Sequence, residues 1–246
     1  MPVRSVTIGQ NRCAIAAASP DDADVDAASF ALEARGLGYV RGRQPVFRGV
    51  DLAVREGEIV LLAGANGAGK TTLLQCLAGA LVPTAGQVSW FGSSARSPAA
   101  RRLIGYLGHE CGLYLTLTAR ENLLFAGRMC GLSRVTARAD ELLSVIGLCC
   151  FAGQQAGRLS RGMRQRLAIA RAVVHDPPIV LLDEPFTSLD DGGRDWLIQF
   201  LRSLRARQRS ILLVAHGDEL SRNLADRLVC LQAGRIGNIE MRTKGA

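Results

Sequence analysis

Phosphate binding is the first chemistry that the sequence predicts, from the stretch Gly64-Ala65-Asn66-Gly67-Ala68-Gly69-Lys70-Thr71-Thr72. This stretch fits the pattern G-x-x-x-x-G-K-[ST] of phosphate-binding loops. Its glycines let the backbone wrap closely around an anion, and amides at a helix N-terminus direct partial positive charge at that anion. Lys70 would contact the β- and γ-phosphates of a nucleotide, and the Thr71 hydroxyl would bind Mg²⁺. The alternative is a glycine-rich strand-to-helix turn that holds no ligand.

Two adjacent carboxylates could supply a metal ligand and a base for such a nucleotide. Asp183 and Glu184 follow the apolar run Ile179-Val180-Leu181-Leu182, which is typical of a strand in a parallel sheet. Open α/β folds bind their ligands at the carboxyl ends of such strands. Asp183 would therefore hold Mg²⁺, directly or through water, and Glu184 would polarise the attacking water. A solvated acidic pair at a strand end is the alternative.

Three further residues have weaker patterns of their own. Ser160, within Leu159-Ser160-Arg161-Gly162-Met163, can cap a helix, so its hydroxyl and the first free amides would form a second anion site. Tyr39 ends a predicted strand, where its ring could stack on adenine or could simply cover a sheet edge. His216 also follows a strand, and a lone histidine in such a place is usually structural or exposed.

The strands and helices predicted from the sequence must position these residues. Strands are predicted at 31–40, 46–54, 58–63, 87–91, 103–107, 179–184, 211–215, 227–231 and 235–240. Helices are predicted at 72–78, 119–129, 135–146, 159–174, 191–207 and 218–225. Thr118 and Glu121 form a capping box at the start of the second helix. The predicted fold class is α/β, with a mostly helical region that separates two strand-rich halves.

The composition indicates a folded chain with a sizeable core. Of the 246 residues, 48% are hydrophobic, and no apolar run approaches the ~18 residues that a membrane span requires. The net charge of +8 is compatible with nucleic acid, with anionic lipid or with a solvated basic face. Seven cysteines without a C-x-x-C pair indicate free thiols in a reducing compartment. Residues 1–28 lack a signal-peptide pattern and are predicted to be a disordered tail.

In their order along the chain, the motifs over roughly residues 31–237 resemble the ATP-binding cassette family of ATPases. The stretch from Gly64 resembles the phosphate loop of that family, and Asp183-Glu184 resembles its second carboxylate motif. Leu159–Met163 is similar to the signature motif, which other phosphate-loop proteins lack. Tyr39, Ser188-Leu189-Asp190 and His216 are similar to the adenine-stacking residue, the loop that crosses the dimer and the switch histidine.

The resemblance implies a P-loop NTPase fold with a core sheet, an antiparallel β subdomain and an inserted α-helical subdomain at about 93–178. This domain would occupy residues 29–240, with tails at 1–28 and 241–246. ATP and Mg²⁺ are the implied cofactors. Glu184, His216 and Lys70 would be catalytic, and Thr71 and Asp183 would hold the metal. The implied nucleotide-binding residues are Tyr39, Gly64, Ala65, Asn66, Gly67, Ala68, Gly69, Lys70, Thr71, Thr72, His109, Ser160, Gly162 and Asp190.

Two departures from the family pattern stand out. Arg161 and Met163 replace a glycine and a glutamine of the usual L-S-G-G-Q, whereas Ser160 and Gly162, which the family places closest to phosphate, are retained. His109, with Glu110 beside it, stands where the family has a glutamine, which puts the metal-side contact there in question. An imidazole at that position could still bind a water molecule or the partner subunit.

The resemblance also implies partners. Two copies of the chain would bind ATP head to tail, with the phosphate loop of one copy and the signature motif of the other at each site. Integral membrane transporter subunits would hold this homodimer as a peripheral protein at the cytoplasmic side of the inner membrane. No nucleic acid is expected as a partner.

Several subclasses of the family are open. Residues 105–109, 115–123, 159–163 and 176–190 resemble the haem-exporter ATP-binding subunit of cytochrome c maturation, although exporters of drugs, polysaccharides or lipids share many of these residues. A soluble cassette ATPase of DNA repair or translation usually has paired cassettes or a coiled-coil insertion, and no heptad run occurs here. A small-molecule kinase would lack the signature motif.

Overall fold

The computed structural model describes residues 30–95, 99–215 and 219–241. His216 and the predicted tail at 1–28 lie outside these ranges. Of the predicted C-terminal tail, residues 242–246 also lie outside them, whereas Met241 is the last residue of a strand.

One sheet of the described chain is antiparallel. Its strands are β1 (Phe30–Arg41), β2 (Gln44–Arg55), β4 (Ala85–Trp90) and β5 (Ser93–Ser94), in the order β2-β1-β4-β5. β1 and β2 form the predicted hairpin, and the turn between them lies within the turn-prone residues 41–45. This sheet is the antiparallel β part that the resemblance implied.

The second sheet is mainly parallel and carries the site. Its strands are β3 (Ile59–Ala63), β6 (Ile104–Leu107), β7 (Ile179–Asp183), β8 (Ser210–Val214), β9 (Arg227–Gln232) and β10 (Arg235–Met241). They lie in the order β10-β9-β3-β8-β7-β6, and β10 pairs antiparallel to β9 at the edge. The helices are α1 (Lys70–Leu77), α2 (Ala119–Met129), α3 (Val135–Val145), α4 (Arg161–Ala172), α5 (Asp191–Ala206) and α6 (Glu219–Leu224).

Apolar layers cover both faces of the parallel sheet. All residues of β3, β7 and β8 are buried, as expected for parallel strands covered on both sides. Because side chains alternate along a strand, Ile59 and Leu61 join the apolar cluster that includes α4 and α5. Val60 and Leu62 join the opposite cluster, which contains α1 and the antiparallel sheet. The sheet therefore holds the phosphate loop and the helical part on a common rigid base.

The parallel register brings the functional segments to one edge of this sheet. Leu62 pairs with Val214, Asp183 with the same Val214, and Leu107 with Leu182. The carboxyl ends of β3, β7 and β6 therefore lie at the same edge of the sheet, with β8 between β3 and β7. The phosphate loop, the loop that carries His109 and the Asp183-Glu184 pair all begin at this edge.

The helices α2, α3 and α4 form the helical part. The predicted capping box is present, because Thr118 Oγ1 accepts from the Glu121 N–H at 3.1 Å and Glu121 Oε2 accepts from the Thr118 N–H at 2.8 Å. Within the proposed helical range 93–178, β5 and β6 belong to the two sheets, so the α-helices of that range begin only at Ala119. Buried Asn122 holds the loop before α2, since its Oδ1 accepts from the Tyr114 N–H at 2.9 Å. No helix in the described ranges combines the length and apolar character needed to cross a bilayer.

Candidate functional site

The phosphate loop connects β3 to α1, and two of its glycines are required by space and by backbone conformation. Gly64 has φ +150, and a Cβ there would overlap the backbone oxygen of Leu231 on β9. Gly69, the N-cap of α1, has φ +97, and a Cβ there would lie 2.8 Å from Val46 Cγ1. Both φ values lie where side chains are disfavoured. The loop is thus seated between the two sheets in a shape that only glycine allows.

Lys70 lies in the concave side of this loop. Its side chain is 6% exposed, and its Nζ donates to the backbone oxygens of Gly64 at 2.7 Å and Ala65 at 3.0 Å. Thr71, half-buried, follows it at the N-terminus of α1. An ammonium group held at a helix N-terminus adds a full charge to the partial charge of the free amides. This arrangement suits the terminal phosphates of a nucleotide.

A cavity of about 510 Å³ opens in front of the loop. This volume is within the ~300–1,000 Å³ of small-molecule sites. Its lining residues come from the β1–β2 turn, the phosphate loop and the end of β7: Arg41, Gln44, Pro45, Val46, Asn66, Gly67, Gly69, Lys70, Thr71, Thr72 and Glu184. The cavity therefore brings together most of the predicted phosphate-binding residues and the predicted base.

Tyr39 does not line this cavity. Its ring is half-buried, with its centroid 6.3 Å from that of Phe47. Stacking of Tyr39 on adenine remains a prediction. Arg41 lines the cavity instead, and its Nη2 donates to Thr72 Oγ1 at 3.4 Å. Arg41 was not among the predicted site residues, because its contact with Thr72 joins segments 31 residues apart and leaves no local pattern.

Asp183 is a buried carboxylate at the same sheet edge. It is 3% exposed, and neither of its oxygens has a hydrogen-bond partner of ordinary geometry among the described residues. Burial raises its pKa above the ordinary value, and the nearby Glu184 carboxylate raises the pKa further. The Thr71 hydroxyl, His109 and Lys70 lower the same pKa. All four neighbours are residues that the sequence analysis assigned to the site.

The residues around Asp183 fit Mg²⁺. A buried carboxylate without a partner costs free energy, and a hard cation would supply the missing interaction. Mg²⁺ usually takes one or two protein oxygens and completes its shell with phosphates and water. In the described ranges no group of three or more His, Cys, Asp and Glu residues forms an all-protein cage. Asp183 with Thr71 therefore suits a cation that arrives with a nucleotide.

Glu184 borders the cavity in an unusual backbone conformation. Its φ is +47, a left-handed conformation that costs a residue with a side chain roughly 1–2 kcal/mol. Its N–H donates to Val214 O at 2.9 Å, and its Oε2 accepts from Thr187 Oγ1 at 3.4 Å. Such strain persists where the surrounding structure holds it, most often at functional sites. The conformation places this side chain at the lining of the phosphate cavity.

A second, smaller cavity of about 240 Å³ lies at the start of α4. Ser160 caps that helix and accepts from the Met163 N–H at 3.2 Å. The lining residues are Ser160, Gly162, Met163, Arg166, Ser188 and Asp190. The predicted signature motif and the predicted dimer-crossing loop therefore meet. A Cβ at Gly162 would lie 3.3 Å from Ser188 O, which shows how closely the two segments approach.

Taken over the described residues, the two cavities have no lining residue in common. The phosphate loop and Glu184 belong to the first, whereas Ser160, Gly162 and Asp190 belong to the second. His109 is exposed in the loop after β6 and lines neither cavity, although it acts electrostatically on Asp183. The roles predicted for single residues remain predictions, and His216 lies outside the described ranges.

Comparison with known proteins gives concordant results. A family model described as ABC transporter matches residues 47–187. The chain is 39% identical over 194 residues to the ABC transporter ATP-binding protein NatA of Bacillus subtilis (strain 168), covering 77% of this chain and 79% of that protein. It is 38% identical over 209 residues to the Nod factor export ATP-binding protein I of Rhizobium sp. (strain N33), covering 83% and 69%.

Other relatives and solved structures agree in fold. The sulfate/thiosulfate import ATP-binding protein CysA of Bradyrhizobium diazoefficiens is 38% identical over 216 residues, covering 85% of this chain and 63% of that protein. A solved ATP-binding subunit of an ABC transporter has a TM-score of 0.80 at 31% identity, covering 85% of this chain and 89% of the other. A dimeric ATP-binding cassette bound to ADP and Pi has a TM-score of 0.78 at 28% identity, covering 85% and 98%.

Proposed function

The chain belongs to the ABC transporter family as an ATP-binding subunit, and on that premise we propose that two copies of it hydrolyse ATP at shared sites. Each site would combine the larger cavity of one copy with the smaller cavity of the other. The observation that carries this proposal is the separation of the two cavities on one chain. A nucleotide in the larger cavity of a single copy would lack the predicted contacts of Ser160, Gly162 and Asp190.

The larger cavity, together with the buried Asp183, supports the following proposed roles. Lys70, now bonded to the oxygens of Gly64 and Ala65, would exchange these partners for the β- and γ-phosphate oxygens. Asp183 and Thr71 would hold Mg²⁺, which when bound neutralises charge on those phosphates. Glu184 would orient and polarise the attacking water from the cavity wall. Little covalent work is left to the protein, because phosphoryl transfer is catalysed mainly by positioning and charge.

The smaller cavity would complete the site from the partner copy. Ser160 and the free amides at the N-terminus of α4 present hydrogen-bond donors to an anion. Arg161 and Arg166 add positive charge at the start of the same helix. We propose that this group closes over the γ-phosphate, so that hydrolysis requires the dimer. The dimer would sit at the cytoplasmic face of the membrane, held by integral transporter subunits.

For the cargo we propose haem, on the resemblance of residues 105–109, 115–123, 159–163 and 176–190 to haem-exporter subunits. A second candidate, export of another substrate, is favoured by the names of relatives, one of which is a Nod factor export protein. CysA, an import protein, is also among the relatives. The cargo is expected to be handled by the membrane subunits, because both cavities described above are assigned to the nucleotide.

Covalent haem staining tests the cargo. In a strain that lacks the gene, or that carries Glu184→Gln, mature c-type cytochromes should disappear while cytochromes with non-covalent haem remain. The wild-type gene on a plasmid should restore staining. Normal staining in the deletion strain would reject haem and leave the ATPase proposal to be judged by purified-protein turnover.

A further inference from the structure

A buried side-chain amide on α4 contacts two segments of the proposed active site. Gln165 is 8% exposed. Its Nε2 donates to the backbone oxygen of Pro185 at 3.1 Å, and its Oε1 accepts from Cys111 Sγ at 3.3 Å. The orientation of the amide is determined by its partners, because a backbone oxygen can only accept a hydrogen bond. Both ends of the amide are therefore used, as expected for a buried polar group.

The three residues belong to three different segments, each of which carries a residue predicted for the nucleotide site. Pro185 follows Glu184, the proposed base, whose backbone is left-handed. Cys111 lies two residues after His109 in the loop that follows β6. Gln165 lies on the helix that Ser160 caps. The Gln165 amide on α4 thus contacts both the turn that follows Glu184, the proposed base, and the loop that follows β6. We call α4, which Ser160 caps, the signature helix.

The turn at Glu184 is held by backbone hydrogen bonds and by the packing of Phe186 in the apolar cluster that includes α4. Backbone bonds hold it towards the sheet and within itself, from Glu184 N to Val214 O at 2.9 Å and from Thr187 N to Glu184 O at 3.1 Å. Towards α4, the hydrogen bond shown for the Pro185 oxygen is the one from Gln165. Loss of this bond would remove a hydrogen bond that joins the strained turn to α4.

We propose that Gln165 is a positioning residue for ATP hydrolysis, which keeps the Glu184-Pro185 turn aligned with the signature helix. Through this bond, the orientation of the base in one composite site depends on the helix that contacts the nucleotide of the other. The inference rests on the proposed hydrolysis at shared sites. Gln165 itself lines neither cavity, so it acts through Glu184 and not on the nucleotide.

The first test is Gln165→Leu in the purified full chain. We expect kcat to fall by about tenfold to a hundredfold, the range for a small misplacement of a catalytic group, while the KM for MgATP stays unchanged. Gln154→Leu is the matched control, since Gln154 Nε2 also donates to a backbone oxygen, that of Arg158 at 3.0 Å, and Gln154 lines neither cavity. That control should keep its kcat. An unchanged kcat in Gln165→Leu overturns the inference.

A second variant covers the outcome in which Gln165→Leu does not fold. Gln165→Glu is nearly isosteric, and its carboxyl group can donate to Pro185 O only while it is protonated. Charged or titratable groups on the segments that meet here are Arg161, Arg164, Arg166 and Arg171 on α4, His109, Glu110 and Cys111 in the loop after β6, and Asp183 and Glu184 before Pro185. Because wild type carries the same groups, the ratio of variant kcat to wild-type kcat should rise as pH falls.

The pH dependence of the ratio of variant kcat to wild-type kcat distinguishes a positioning role of Gln165 from a purely structural role. The inference is supported if this ratio rises towards acid pH while the melting temperatures of Gln165→Glu and wild type change in parallel with pH. A ratio that is flat with pH, or a kcat loss that only follows a loss of folded protein, overturns it. Absence of ATP hydrolysis by the wild-type chain would instead reject the proposed function, so the two failures are distinguishable.

Discussion

Lys70 and Arg41 place two positive side chains on the same cavity, one from the phosphate loop and one from the β1–β2 turn. The burial and the hydrogen bonds of these two side chains differ. Lys70 is buried and hydrogen-bonded within the loop, whereas Arg41 is exposed and makes one long hydrogen bond to Thr72. Removal of Lys70 should therefore nearly abolish nucleotide binding, and removal of Arg41 should weaken it.

Arg41→Ala should raise the Kd for MgATP by about threefold to tenfold, since one charge-assisted hydrogen bond contributes roughly 1 kcal/mol or somewhat more. Titration calorimetry of the isolated chain measures this change. Arg43→Ala is the control, because Arg43 is exposed in the same turn and does not line the cavity. Equal effects of the two variants would mean that only the general positive charge matters.

Glu184→Gln should preserve the fold and ATP binding but reduce the rate of hydrolysis at least about a hundredfold, as expected for loss of a general base. Glutamine has the same shape as glutamate but cannot take a proton. With MgATP the variant should accumulate as a dimer, which gel filtration with light scattering detects. Turnover at the wild-type rate, or a monomer under these conditions, would contradict the proposed role.

Sequence patterns located the phosphate loop, Asp183-Glu184 and Ser160, because the chemistry of these residues requires fixed types at fixed spacing. Arg41 and Gln165 could not be located in this way. Arg41 contacts Thr72, 31 residues further along the chain, and Gln165 contacts Cys111, 54 residues earlier. Such contacts depend on which strands become neighbours, and no local pattern records that. The missing partners of Asp183 likewise became visible only once its burial was known.

The predicted helices and strands match the structure to within a few residues, because apolar periodicity, caps and turn residues are local signals, whereas the two-residue strand β5 was not predicted. The capping box at Thr118 and the serine cap of α4 were confirmed. The order β10-β9-β3-β8-β7-β6 was not predicted, since it arises from pairing between distant segments. For the same reason β6, which follows a polar stretch, was grouped with the helical part although it pairs with β7 in the main sheet.

Helix α1 carries a buried thiol whose titration should affect stability at alkaline pH. Burial raises the pKa of Cys76 from an ordinary 9.0 to about 11. A raised pKa in the folded state means that the unfolded chain loses its proton first as pH rises. The stabilising contribution is therefore complete below pH 9.0 and is lost as pH approaches about 11.

Thermal unfolding between pH 8 and pH 11 of wild type and Cys76→Ala measures this contribution. We expect the melting temperature of wild type to fall more steeply than that of the variant over this interval. The variant will be less stable throughout because it loses buried volume, so the comparison concerns slopes and not absolute values. Parallel slopes would show that the thiol does not titrate differently in the two states.

At the scale of the whole molecule, the two separate cavities predict complementation between defective chains. Ser160→Arg should leave nucleotide binding to the larger cavity intact, because Ser160 does not line it, yet the homodimer should not hydrolyse ATP. A Lys70→Ala homodimer should also be inactive. In a mixture, the heterodimer keeps one complete composite site, made from the larger cavity of Ser160→Arg and the smaller cavity of Lys70→Ala.

Single-turnover assays of this mixture should therefore recover activity from two inactive proteins. A chain that carries both substitutions, mixed with either single variant, is the control, because neither combination contains a complete site. Complete inactivity of the Ser160→Arg and Lys70→Ala mixture, with heterodimers present, would argue that each chain acts alone.

The placement of the two half-sites on separate parts of one fold also has an evolutionary consequence. After a gene duplication, one copy can accumulate substitutions around its phosphate loop while the other accumulates them around its signature helix. Neither set of changes needs to disturb the shared sheet, because one lies in the loop after β3 and the other at the N-terminus of α4. One of the two ATP sites can thus lose its activity while the other keeps it, so a symmetric homodimer can evolve by small steps into an asymmetric heterodimer.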